Sequence, residues 1–172
     1  MIALRVALGL LIAVAGYEVG ALLADRERRR VQEIDAWLAL LQVLASDVSY
    51  IALPLPQALH AARRSARGVV RDFLAALAPR LGDHVVLADA WREELERIRP
   101  RSCLKAEDLD PLVELGEQIG RYGREEHRGF FLRSQERLQL QRRAAAEASA
   151  AGQRMWRTLG AVAGVALALV LL

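Results

Sequence analysis

The 172-residue sequence predicts an all-α protein: a cytoplasmic bundle of about six helices between an N-terminal and a C-terminal transmembrane helix. Three observations predict it. The composition is 53% hydrophobic but only 5% aromatic, with Ala and Leu dominant, a bias that favours helix over sheet. Apolar residues recur at spacings of three and four, and nothing alternates with period two for long enough to make a strand. Both ends carry apolar runs with arginines on their inner side. The expected division is a transmembrane helix over 1–24, the bundle over 25–157, and a short second transmembrane helix over 158–172.

In the first element, nineteen residues between Arg5 and Asp25 hold one charge, Glu18. As a helix they span about 29 Å, close to the thickness of a hydrocarbon core. Arg26, Arg28, Arg29 and Arg30 follow, and such a basic block marks the cytoplasmic side. The competing reading is a cleaved signal peptide with Ala13-Val14-Ala15 at the cut, but the apolar run continues through Val19, Ala21, Leu22 and Leu23. Glu18 either snorkels to the interface or pairs with a basic group on a neighbouring subunit of a homo-oligomer.

The last element, Leu159 to Leu172, is fourteen apolar residues without a charge, or about 21 Å of helix. Spanning requires Trp156 at the interface, a snorkelling Arg157 and a locally thinned bilayer; an interfacial or re-entrant segment is the alternative. Gly16 with Gly20, and Gly160 with Gly164, form GxxxG spacings that suit close packing of membrane helices.

Between the ends, Val31, Ile34, Leu38, Leu41, Ala45 and Val48 mark a helix of about 20 residues reaching Tyr50, its apolar face widened by Leu40, Val43 and Leu44. Pro56 suits the first turn of a helix running to about Ala66, and Gly68 separates it from VVRDFLAALAPRL. There Val69, Val70, Phe73, Leu74 and Leu77 share a face. Next come Leu87, Trp91, Leu95 and Ile98, stopping at Pro100. Asp110 is the expected cap of a further helix with Pro111 at its first position, and Asp108 is the alternative cap. From about Glu125 the last helix carries Phe131, Ser134, Leu138, Gln141, Ala145, Ala148, Gly152, Met155 and Leu159 on one seam, running unbroken into the apolar tail.

The stretch SYIALPLPQAL interrupts this helical pattern. Pro54 and Pro56 are expected to hold Leu53 and Leu55 extended, with both leucines turned inward under Tyr50. Tyr50, Leu53, Pro54, Leu55 and Pro56 thus form either a rigid structural corner or a partner-docking surface at the membrane-distal tip of the first bundle helix.

Chemistry is absent from the motifs. There is no Gly-rich phosphate loop, no H-E-x-x-H, no C-x-x-C and no nucleophile elbow, and His60, His84, His127 and Cys103 share no local spacing. A single cysteine permits no internal disulfide. Net charge is +3, but charges alternate in sign, as in WREELERIRPR, which marks solvated helix faces rather than a phosphate-binding stripe. Carboxylates commonly have an arginine three or four residues away, as Glu94 has Arg97, the signature of helix-surface pairing. The expectation is a non-enzymatic protein with no metal, no cofactor and no nucleic-acid partner.

The order of these features resembles the stage III sporulation protein AB family. The shared elements are the apolar start with its Arg-rich turn, the long helix ending in Tyr50 shortly before PLPQAL, and Trp91 in AWREEL. LGEQIG and the charged helix ending MWRTLG before a short apolar tail complete the set. The sequence departs from that pattern at Gly123, where an Asp is common, and near His127, where a Gln is. The resemblance implies a subunit of a secretion-like channel complex between mother cell and forespore. Its bundle would be similar to the cytoplasmic helical domain of type II secretion F-type platform proteins. Implied partners are the stage III sporulation AA-type ATPase and the other stage III sporulation A-complex proteins. The alternative class is a membrane-bound signalling or adaptor protein with no channel role. In either case the first and last helices are expected to pair as an antiparallel stalk leading out of the bilayer. Cysteines placed near Ile34 and Ala148 test this: crosslinking supports the stalk, and its failure at every register removes it.

Overall fold

The computed structural model describes the backbone of residues 2–49, 53–81, 86–119 and 124–171, and the side chains of 25–48, 53–81, 86–119, 128–152 and 155. Among the described residues there are six α-helices and no strand: α1 Ile2–Ser49, α2 Leu55–Ala62, α3 Gly68–Leu77, α4 Leu87–Ile98, α5 Ala106–Ile119 and α6 Arg124–Leu171. Short 3₁₀ turns at Ala78–Arg80 and Arg99–Arg101 absorb Pro79 and Pro100. Met1–Arg29 with Ala144–Leu172 make one compact unit, and Arg30–Arg143 the other.

The backbone of 2–24 belongs to α1 and that of 158–171 to α6. The side chains of both apolar segments, including Gly16, Gly20, Gly160 and Gly164, lie outside the described residues. Among the residues that are described, no helix is long and apolar enough to cross a membrane. α6 begins at Arg124, one residue before the expected start.

The buried seam of α1 differs from the predicted one. Ile34, Leu41 and Val48 belong to both, but the remaining seam residues are Arg30, Trp37 and Leu44, with Leu40 beside them. Val31, Leu38 and Ala45 are only half-buried, and Val43 is exposed. An apolar-only reading passed over this register because its first member is an arginine. On α6 the expected Phe131, Ser134, Leu138 and Ala145 are buried, whereas Ala148 and Met155 are exposed.

Three rings form the centre of the bundle. Trp37 and Phe73 meet edge to face with centroids 5.0 Å apart, and Phe73 and Trp91 do so at 4.8 Å. Such pairs contribute about 0.5–1.5 kcal/mol each beyond their burial. Trp91 Nε1 donates to the Leu112 carbonyl at 2.9 Å, tying α4 to α5. That approach is possible because position 116 is glycine. A Cβ there would lie 2.6 Å from Trp91 Cγ and 2.8 Å from its Nε1, well inside van der Waals contact.

α5 starts earlier than expected. Asp110 is not its cap; the helix opens at Ala106, and Pro111 lies inside it. Asp108 is not the cap either, but sits two residues further in than the first helical residue. Its carboxylate accepts the Lys105 backbone N–H at 2.8 Å, the return half of a capping box. The same carboxylate takes a two-pronged bond from Arg30: Nε to Oδ2 at 2.7 Å and a terminal nitrogen to Oδ1 at 2.8 Å. Arg30 is 2% exposed and Asp108 0%. Glu107 adds a third contact to the guanidinium at 3.0 Å.

Two further helix ends differ from the expected ones. α2 stops at Ala62 rather than Ala66, closed by a turn in which the Ser65 hydroxyl donates to the Ala62 carbonyl. Gly68 is not a spacer but the first residue of α3. Its φ of +54° lies in the left-handed region, and a Cβ there would meet nothing within 4 Å, so the demand for glycine comes from the backbone alone.

Two outcomes follow. Gly116→Ala should destabilise by about 2–3 kcal/mol through overpacking against Trp91, although alanine in an ordinary helix interior gains about 1 kcal/mol over glycine. A raised denaturation midpoint would refute the packing account. Arg30→Met should cost about 3–5 kcal/mol by stranding Asp108, whereas Arg30→Met with Asp108→Leu should recover most of that loss. Chemical denaturation of the three proteins measures both.

Candidate interaction surface

α1 uses successive side chains to hold its neighbours. Glu33 accepts the Ser102 hydroxyl and the Cys103 backbone N–H, anchoring the segment between α4 and α5. Asp35 pairs with Arg142 of α6 through both carboxylate oxygens. That hydrogen bond, and then the charge of Asp35, raise the Arg142 pKa above its ordinary value. Ser134 of α6 donates to the Pro111 carbonyl at 3.2 Å, and Arg137 pairs with Glu114, so α6 is also tied to α5.

Glu94 does not belong to the helix surface as its spacing from Arg97 suggested. It is 0% exposed, held by Arg80 at 2.9 Å and by Arg97 at 3.3 Å. Arg80 also bonds Glu93, and that contact followed by Glu94 raises its pKa. These guanidiniums are committed to internal partners. They are therefore poor candidates for recognising anything else.

The proline corner is placed by α1 and α2. The Leu53 N–H donates to the Asp47 carbonyl at 3.0 Å, folding the chain back onto the end of α1. Pro54, at φ −56° and ψ 136°, precedes α2, and its carbonyl accepts from Gln57 and Ala58 at 2.9 and 3.0 Å. Leu55 is helical, not extended as predicted, with Pro56 second in the helix. First-turn N–H groups have no intrahelical partner, so Pro56 removes no bond there. Leu53 and Leu55 are half-buried and Pro54 and Pro56 exposed, so the leucines close the corner only in part. Tyr50 lies outside the described residues.

Beside this corner is an open depression of 830 Å³ with Pro56, Ala61, Ala78 and Leu81 among its lining. Gln57, His60, Arg63 and Arg64 supply its polar side. Arg67 and Arg71 follow in sequence, and all four arginines are exposed. None of the four makes an ion pair with a described residue. The sequence reading missed this surface because it weighed charge alternation over the whole chain. The available signal was local: from Val48 to Arg71, 24 residues contain four arginines and no carboxylate.

Among the described residues no group of three or more His, Cys, Asp or Glu side chains is placed to hold a metal ion. His60 is exposed on the depression, Cys103 is half-buried, and the side chains of His84 and His127 lie outside the described residues.

Comparison with known proteins agrees with the sequence pattern. A family model described as stage III sporulation protein AB matches residues 5–172. A solved structure titled stage III sporulation protein AB (SpoIIIAB) superposes with a TM-score of 0.65 at 21% identity, covering 71% of this chain and 97% of the other. At that identity the likeness establishes the fold. No match is found among curated proteins.

Proposed function

The chain belongs to the stage III sporulation protein AB family, and from that premise we propose that it is a membrane-anchored platform subunit of the secretion-like channel complex between mother cell and forespore. In this reading it has no catalytic activity or cofactor of its own. The apolar segments 1–24 and 158–172 anchor it in the mother-cell membrane around the forespore, and residues 25–157 face the cytoplasm. There the bundle docks a secretion-type ATPase of the stage III sporulation AA type, alongside the other proteins of the A complex.

The observation that carries this reading is the extent of the family match, which takes in both apolar ends as well as the bundle. Two features of the bundle support it. Its helices are tied by charge pairs, the buried Arg30–Asp108 and the more exposed Asp35–Arg142. Its proline corner is exposed at Pro54 and Pro56 and is stiff, so little entropy is lost in ordering it against a partner.

Detergent extraction of the full-length chain from sporulating cells, followed by purification, tests the proposal. The ATPase is expected to remain bound through the purification. Its absence would favour a membrane-bound adaptor or signalling protein with no channel role.

A further inference from the structure

The geometry points to the depression beside the proline corner as a recognition site for an acidic polypeptide segment, with Arg63 and Arg64 reading its carboxylates. The site deepens the docking reading above by stating the chemistry of the surface that would sit on the bundle.

Elsewhere in the bundle, arginines at 30, 80, 92, 97, 99, 137 and 142 are each within ion-pair distance of a carboxylate. Arg101, Arg133 and Arg143 have no such pair with a described residue but are scattered along the chain, whereas at the corner four unpaired arginines fall within nine residues. Arg63, Arg64, Arg67 and Arg71 occur together in a carboxylate-free run, exposed and without an ion pair to any described residue. Concentrating like charge costs stability through self-repulsion, and a partner of opposite sign relieves it. A guanidinium also matches a carboxylate geometrically, offering two parallel donors to its two oxygens.

The shape of the site selects among anionic partners. The lining combines Pro56, Ala61, Ala78 and Leu81 with Arg63 and Arg64. An apolar patch with cationic neighbours fits a side chain such as Leu flanked by Asp or Glu. Single-stranded nucleic acid would call for aromatic platforms on which bases stack. Among the described residues no Phe, Tyr or Trp lines the depression, whose one ring is the His60 imidazole, and Trp37, Phe73 and Trp91 are all buried in the core. A lipid surface is disfavoured by position. Within Arg30–Arg143, the corner follows the Ser49 end of α1, and nineteen helical steps, about 29 Å, separate that end from Arg30. The corner is thus remote from Arg30, and in the anchored reading above it is the first unit that carries the apolar segments.

The test uses the full-length chain in neutral detergent and a fluorescent synthetic peptide in which one leucine is flanked on each side by two glutamates. Binding is read by anisotropy at low and high salt. The expected result is saturable binding that weakens with salt and is lost when the glutamates are replaced by glutamines. Arg63→Glu with Arg64→Glu should weaken it on the order of tenfold or more. Arg101→Glu with Arg143→Glu, reversing two exposed arginines elsewhere, should change it little. Both pairs are exposed, and circular dichroism and thermal midpoints verify that the variants fold. Equal loss in both double variants, or equal binding of the glutamine peptide, would overturn the proposal. So would tighter binding of a single-stranded oligonucleotide or of anionic phospholipid vesicles that the 63/64 variant abolishes. The ATPase does not enter this measurement. Failure here leaves the platform reading standing, and failure of ATPase co-purification leaves this site standing.

Discussion

Burying the Arg30 guanidinium against Asp108 fixes the register of α1 on α5, and the other attachments of α1 follow from that register. A charge at 2% exposure is tolerable only with a partner of opposite sign and with its donors satisfied. Asp108 meets both demands, using its second role at the start of α5 to stay in place: the Lys105 N–H holds the carboxylate that Arg30 then grips. With residue 30 fixed, Glu33 reaches the Ser102–Cys103 segment, Asp35 reaches Arg142, and Trp37 lands on Phe73. One helix thereby holds α3, α5, α6 and the loop before α5 within two turns of its own length.

The ring column continues this ordering through packing. Phe73 stands between the two tryptophans, so α3 is clamped from α1 on one side and α4 on the other. Trp91 then needs the flat space at Gly116 to bring its indole N–H to the Leu112 carbonyl. Polar and apolar contacts are therefore coupled. Moving α5 to relieve a clash at Gly116 would also pull Asp108 from Arg30.

That surface is distinguished by what it lacks. Seven arginines of the bundle, from Arg30 to Arg142, each have a carboxylate within ion-pair distance. Around α2, the start of α3 and the 3₁₀ turn at Ala78–Arg80, Arg63, Arg64, Arg67 and Arg71 have none among the described residues. The predicted corner residues and this depression share Pro56, so the stiff turn and the charged site are parts of one feature. Pro54 directly precedes α2 and Pro56 lies in its first turn, with Leu55 helical rather than extended. The neighbouring Arg63 and Arg64 give the depression its charge.

The sequence alone determined the helical class, the family, the α6 seam through Phe131, Ser134, Leu138 and Ala145, and the faces of α3 and α4. Those are local properties, written in apolar spacing that any helix must obey. It also marked Gly116, within LGEQIG, and Trp91 as features worth noting, without showing that one makes room for the other. Tertiary structure decided which register of α1 faces inward, because Arg30 enters the seam only with Asp108, 78 residues away, to neutralise it. It moved the start of α5 to Ala106 for the same reason. It buried Glu94 by supplying Arg80 from another element. A charge reads as surface in one dimension and becomes core only when the fold delivers its counter-charge, and that pairing is not visible in periodicity.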